Sequence, residues 1–223
     1  MELRAGAEVA AVHTSPEAVN GLRLASGDVL AAEHVVIAAG AWSDAIDGIP
    51  DEARVPIHPV KGQIVRLHDP AGPGLLGRVL RMTTGYLVPR GDGRYVLGAT
   101  TEERGFDTTV TAGAVFELLR DCGELIPGIS ELVIDEMIAG LRPATPDNAP
   151  AIGPAPVPGL HWAVGHYRNG ILLAPITADI VVAGLTGERT PDVAEPFAPG
   201  RFAGAGRASA PSMLPPATVP VEA

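Results

Sequence analysis

The sequence predicts a mixed α/β (α+β) fold in which pieces of a strand–helix frame flank an antiparallel-sheet block. Three observations carry this reading. Val35-Val36-Ile37-Ala38-Ala39 is a continuous apolar run closed by Gly40, the pattern of a buried strand. From Val55 to about Gly140 the hydrophobic period becomes two, with Gly/Pro/Asp turns between the runs. Trp162-Ala163-Val164 then leads through Gly165 into an apolar helix that continues past Ile180, Val181, Val182 and Leu185 and stops at Gly187.

In chain order, Glu8 to Val12 and Asn20 to Leu24 read as a hairpin-like pair of strands, and Glu33 to Ala38 as the buried strand. Trp42 and Ser43 follow at its carboxyl end, where open α/β sheets hold ligands. Gln63 to Leu67, Gly85 to Val88 and Tyr95 to Gly98 are further strands, and Arg90-Gly91-Asp92-Gly93-Arg94 is a hairpin connection. Thr111 can cap a helix on which Val115, Leu118, Leu119, Cys122 and Leu125 recur at helical spacing. Pro127-Gly128 ends it, and Leu132 to Leu141 returns to strand. The expected division is 1–50 as frame, 51–140 as sheet block, 141–190 as the return to the frame, and 191–223 as a tail. That tail is rich in Pro, Ala, Gly and Ser and poor in large apolar residues, so disorder is expected there.

Composition narrows the function. A chain of 223 residues can bury a sizeable core, and with 4% aromatic residues that core rests on Val, Ile, Leu and Ala. A formal charge of −10 argues against nucleic acid or an anionic membrane as partner. The single Cys122 excludes an internal disulfide and a zinc cluster, so no metal site is expected, and its helical position suits packing. No uncharged apolar run reaches the roughly 18 residues of a membrane span, and no basic-then-apolar leader pattern is present. Cytoplasm is the default location.

The segment Gly165-His166-Tyr167-Arg168-Asn169-Gly170-Ile171-Leu172 places a glycine and a turn at the mouth of the apolar helix. Such a mouth offers unpartnered backbone N–H groups and the positive end of the helix dipole to a ligand that carries or acquires negative charge. Upstream stand His34 to Ser43 (HVVIAAGAWS), Pro59 to Leu67 (PVKGQIVRL), Gly85 to Thr100 (GYLVPRGDGRYVLGAT) and Ala139 to Gly153 (AGLRPATPDNAPAIG). In that order these motifs resemble the C-terminal portion of the D-amino acid oxidase superfamily of FAD-dependent oxidoreductases, and most of all glycine oxidase of thiamine biosynthesis. The resemblance runs from about Val9 to Gly187. It implies a partial FAD-binding α/β domain with an inserted antiparallel-sheet substrate domain. The family's N-terminal strand, G-x-G-x-x-G turn and helix, which hold the FAD pyrophosphate, are absent. Either that part was lost, or Met1 is a truncated or misassigned start.

The resemblance implies oxidation of a small amino acid or amine by hydride transfer to flavin, giving an imine and then an oxo acid, ammonia and hydrogen peroxide. It places the flavin ring against His166, Tyr167, Arg168, Asn169, Gly170, Ile171 and Leu172, with Val9 and Gly40 as further cofactor contacts. Arg142, in Gly140-Leu141-Arg142-Pro143, becomes the fork for the substrate carboxylate, and Pro143 stiffens its exit. Tyr86 adds a hydroxyl to the same contact. Arg168 either binds substrate or shapes the positive field over the ring. Trp42 reads equally as a core aromatic or a flavin contact.

Thr84 and Thr101 stand where the closest family members carry histidine and methionine near the substrate, which leaves glycine itself open as the substrate. Sarcosine oxidase or D-amino acid dehydrogenase activity is the alternative enzyme. A non-catalytic fragment that needs a separate FAD-binding half is the alternative of another class. The expected partners are the amino-acid or amine substrate, molecular oxygen, and either a second copy of the chain or that N-terminal half.

Overall fold

The computed structural model describes residues 2–15 and 17–204; the predicted tail from 205 onward lies outside them. The chain opens with strands β1 (Val9–Thr14), β2 (Val19–Leu24), β3 (Val29–Ala31) and β4 (Val35–Ile37). Strands β5 (His58–His68), β6 (Leu80–Arg81), β7 (Tyr86–Pro89) and β8 (Arg94–Gly98) follow, then helix α1 (Ala112–Leu125) and strand β9 (Val133–Ala144). Strands β10 (Ala151–Pro154) and β11 (Leu160–Val164) lead into helix α2 (Gly170–Thr186). Among the described residues two compact units result: those up to Pro59 together with 142–204, and Val60–Leu141. The divisions fall inside β5 and β9. Among the described residues no helix is long and apolar enough to cross a membrane.

In the first unit β1, β2 and β3 form an antiparallel sheet, and β11 pairs antiparallel with β10 and parallel with β4. The parallel register sets Leu160 against Val35 and Trp162 against Ile37. Gly159 makes this approach possible: with φ at +83°, a Cβ there would lie 2.3 Å from the Glu33 carbonyl oxygen. The Gly159 carbonyl accepts the Val35 N–H at 2.8 Å, and the Pro158 carbonyl accepts that of Val19. The core gathers Val12, Val19, Val35, Ile37, Val55 and Phe202 around Trp162, which is fully buried. The Trp162 indole N–H donates to the Ala53 carbonyl at 2.9 Å, so burying the ring leaves its polar atom satisfied.

Two expectations change here. The apolar run at 35–39 is not buried on both faces: Val35 and Ile37 point inward while Val36 is 38% exposed, because β4 contributes one face to the core. The expected disorder from Pro191 is also corrected as far as the description reaches. Asp192–Phe197 and Pro199–Phe202 form 3-10 turns, in which Ala194, Pro199 and Phe202 are buried while Val193 is exposed. Ala194 packs with Ile152 and Ile180, and Phe202 joins the Trp162 core. A composition count undervalues so sparse a set of anchors.

The second unit is a five-stranded sheet in the order β6-β7-β8-β5-β9, with neighbouring pairs β6–β7, β7–β8 and β8–β5 antiparallel. Helix α1 starts where expected, with the Thr111 hydroxyl accepting the Ala114 N–H. Its Leu118 and Cys122 are buried with Val65, Leu67, Leu87, Tyr95 and Leu97. Burial also raises the Cys122 thiol pKa, which fits a packing role and not a reactive thiolate. Leu125, in the last turn, is 58% exposed and escapes the predicted apolar face.

Trp162→Ala removes the largest buried side chain of the first unit and strands the Ala53 carbonyl. A loss of about 3–5 kcal/mol is expected. Urea unfolding followed by circular dichroism measures it; a loss below about 1 kcal/mol would show that the core collapses around the gap.

Candidate functional site

Strand β11 ends at Val164, and Gly165 turns the chain with φ at +76°. No other residue fits there, since a Cβ would lie 2.6 Å from the Thr145 methyl carbon. Tyr167 takes a left-handed conformation (φ +50°), unusual for an aromatic residue, and its N–H donates to the Pro143 carbonyl at 3.0 Å. Asn169 N–H closes back onto the His166 carbonyl at 2.8 Å. The turn before α2 is therefore fixed at both ends by backbone bonds.

The helix begins without a side-chain cap, because Asn169 offers no acceptor to the first turn. Ile171 is 96% and Leu172 78% exposed, so uncapped amides and apolar side chains share the same mouth. Pro175 lacks the N–H that would pair with the Ile171 carbonyl. Gly187, left-handed at φ +71°, stops the helix as the sequence predicts. His166 is half-buried, with Nε2 2.9 Å from the Thr177 hydroxyl, and burial lowers its pKa. Arg168 lies with its guanidinium carbon 5.6 Å from the Tyr167 ring centre.

Arg142 sits near the end of β9, half-buried, one residue before the carbonyl that receives Tyr167. The backbone thus brings Arg142 and the 165–172 segment together. Gly40 lies at a matching level. It follows β4 by three residues from the pair Ile37↔Trp162, as Gly165 follows β11, and it too has positive φ. Gly40 opens a 3-10 turn whose buried Ser43 hydroxyl donates to its carbonyl at 2.8 Å. Trp42 on this turn is 56% exposed, which removes the core-aromatic alternative. Val9 stands apart in the β1–β2–β3 sheet, opposite Leu24.

Tyr86 belongs to the second unit. It sits in β7 between Arg81 and Gly98, half-buried, and the bare Gly98 leaves room for its ring. Thr84, two residues earlier, is exposed and helps to lower the pKa of Asp121 on α1. Sequence reasoning missed a polar cluster in this unit. Lys61 is fully buried and pairs with Asp107 at 2.9 Å. Gln63 donates to Glu102 at 2.9 Å and accepts the Thr111 N–H at 2.8 Å. The Asp107 carboxyl titrates well below its usual range, through the Thr109 backbone N–H first and Lys61 next. The available signal was a lysine, Lys61, inside an apolar strand, where burial of the charge requires a partner. These bonds fasten the stretch Thr100–Thr111 onto β5. A groove of about 790 Å³ in the same unit, lined by Arg66, Arg90, Arg94, Tyr95, Asp135 and Glu136, contains no predicted site residue. Arg66 pairs with Glu136 across it, while Arg94 and Asp135 pair with Asp92 and His68 beside it.

The family model for FAD dependent oxidoreductases (DAO) matches residues 1–183. The chain belongs to the DAO family of FAD-dependent oxidoreductases. It is 38% identical over 183 residues to glycine oxidase of Pseudomonas putida, covering 81% of this chain and 49% of that protein. To the bifunctional protein ThiO/ThiG of a Synechocystis strain it is 39% identical over 174 residues, covering 77% of this chain and 26% of that protein. The crystal structure of glycine oxidase from Geobacillus kaustophilus superimposes with a TM-score of 0.77 at 34% identity, covering 86% of this chain and 51% of that one. The mixed α/β fold is thus a glycine-oxidase-type fold. The chain spans about half the length of the single-function relatives it matches.

Two histidines of this family member should titrate low. His161, buried in β11 with Nε2 3.3 Å from His34 Nδ1, has its pKa lowered by burial and then by His34; that of His166 is lowered by burial. For a base whose folded pKa falls below the unfolded value of about 6.5, the contribution to stability is complete above that value and is lost as pH falls through the folded pKa. NMR titration should place both imidazoles below 6.5. A midpoint above 6.5 for His166 would mean that it is charged at the helix mouth.

Proposed function

We propose that this chain forms the ring-and-substrate side of an FAD-dependent amine oxidase acting on glycine or a similarly small amino acid in the cytoplasm. One observation carries the reading: the uncapped mouth of α2 is tied through the Tyr167 N–H to the carbonyl beside Arg142. A helix end that favours an anion and a cation able to fork a carboxylate are thereby held together. The relatives named glycine oxidase add support. His166, Tyr167, Asn169, Gly170, Ile171 and Leu172 would hold the isoalloxazine ring, with Gly40 and Val9 as outlying contacts. The residues suit that group, since Ile171 and Leu172 offer bare apolar surface and the first-turn amides lack a side-chain acceptor.

FAD, when bound, supplies the two-electron acceptor for the substrate Cα hydride and passes the electrons to oxygen. The protein's share is binding and orientation. Arg142 holds the carboxylate by two charge-assisted hydrogen bonds and so fixes the direction of the Cα–H bond. Arg168 adds positive charge at the mouth, held there by the Tyr167 ring. His166, kept neutral by burial, contributes backbone and packing. Thr84 and Thr101 leave the substrate's identity open, with a dehydrogenase or sarcosine-type oxidase as the neighbouring possibility.

A second reading has its own observation. The one G-x-G-x-x-G pattern in the 223 residues, Gly72 to Gly77, lies between β5 and β6 with no helix after it, and the chain spans about half of the relatives. The pyrophosphate end of FAD would then be held by polypeptide outside these residues, with this chain as the ring-side half.

The visible spectrum of the purified chain after FAD addition and removal of excess separates the two. Retained absorbance that bleaches with glycine under anaerobic conditions supports the self-sufficient oxidase. A colourless protein that takes up flavin only with an added FAD-binding half supports the second reading. An oxygen electrode then tells oxidase from dehydrogenase across a panel of amino acids. In whichever form turns over, Arg142→Ala should raise KM for the amino acid about tenfold or more, the weight of a lost ion pair. Unchanged KM would remove Arg142 from the site.

A further inference from the structure

Arg201 and Phe202 lie in the stretch after Pro191, whose composition does not suggest ordered contacts. Phe202 is buried in the core built on Trp162 and Ile37, and the Arg201 guanidinium lies 4.1 Å over its ring. From that footing Arg201 reaches the loop between β9 and β10. Its Nε donates to Asp147 Oδ2 at 2.9 Å, and Nη2 donates to Asp147 Oδ1 at 3.3 Å and to the Ala149 carbonyl at 2.8 Å. The Arg201 side chain is mostly buried while Asp147 is 45% exposed, so the fork reaches its carboxylate at the surface.

The loop is closed on its inner side as well. The buried Thr145 hydroxyl bonds Asp147 and the Ala149 carbonyl, and Asp147 accepts the Ala149 N–H at 3.0 Å. The Thr145 methyl fills the space that Gly165 leaves empty, while Pro143, at the other end, accepts the Tyr167 N–H. A continuous line of contacts therefore runs from the Phe202 anchor through Arg201, Asp147 and Thr145 to the turn that opens α2, with Arg142 at the base of the same loop.

We infer that Arg201 is a positioning residue: through Asp147 it clamps the loop Pro143–Ala149 against Gly165–Tyr167 and so sets Arg142 and the helix mouth in register. The site it positions is the one proposed above, and the inference rests on that reading. The physical test needs no flavin, so the two can fail separately. Asp147 also gives the clamp a pH signature. Arg201 first, and the Ala149 N–H and Thr145 after it, hold this carboxyl down at about 2, below its ordinary 3.8. A carboxyl with a depressed folded pKa contributes fully above the unfolded value, and that contribution goes as pH falls through the folded one.

Amide hydrogen exchange on the full 223-residue chain decides the matter, comparing wild type with Arg201→Ala and Arg201→Lys. For Arg201→Ala, protection at Asn148, Ala149 and Tyr167 should fall about tenfold or more while the β2–β3 ladder stays within about twofold. Arg201→Lys, which keeps the charge and loses the fork, should lie between. Protection of these amides in wild type should fade between about pH 4 and 2, and in Arg201→Ala at higher pH. In FAD-loaded enzyme that turns over, Arg201→Ala should raise KM for the amino acid severalfold with kcat nearly unchanged. Unchanged protection at Tyr167 would overturn the inference, because the clamp would end at the loop. A uniform loss across the whole unit would overturn it too, since Arg201 would then be a general stabiliser. A loss confined to the three amides and partly restored by lysine upholds it.

Discussion

The parallel pairing of β11 with β4 is the constraint from which the first unit follows. It joins residues far apart in sequence in a register of Leu160 on Val35 and Trp162 on Ile37. Once that register is set, the Trp162 ring has one place to go, and its indole N–H finds the Ala53 carbonyl. The loops leaving both strands then emerge at the same level, which is why Gly40 and Gly165 share a rim. Gly159 admits no side chain at the start of this pairing because the Glu33 carbonyl occupies the space. Backbone proximity, more than any single side chain, builds the place where a ligand can sit.

The proposed site uses few charged groups, and each has a definite setting. The helix mouth contributes partial charge without a titrating group, and burial keeps neighbouring His166 neutral. The sheet unit solves a separate problem, holding its long connection with Lys61, Gln63, Glu102 and Thr111. A buried lysine without Asp107 would carry a large desolvation cost, so this network is a condition of having a polar residue at that position. It makes the 100–111 stretch part of the sheet's architecture and not a free loop.

Much of this was legible in the sequence because it depends on local rules. The Thr111 cap, the Gly187 stop, the hairpin at 90–94 and the strand–glycine–helix junction each follow from what one or two residue types permit. What escaped depends on residues that meet only in three dimensions. Nothing near Arg201 announces Asp147, 54 residues away. Val36 belongs to an apolar run, yet only the one-sided sheet decides that it is exposed. The stretch after Pro191 looked too polar to order, but Ala194 and Phe202 are each placed where a core already exists. Tyr86 and Arg142 were marked by motif, and only the coordinates reveal that the backbone beside Arg142 holds the helix mouth.

The β4–β11 pairing also sets a timetable. Leu160 lies 125 positions after its partner Val35, so at a synthesis rate of roughly 5–20 residues per second the two are made on the order of 6 to 25 seconds apart. During that wait β4 has only three residues of strand to offer, too short a template to recruit a wrong neighbour efficiently. The intervening sheet has its own core and can consolidate meanwhile. The brevity of β4 thus leaves little edge exposed until β11, the strand that pairs with it, has been made.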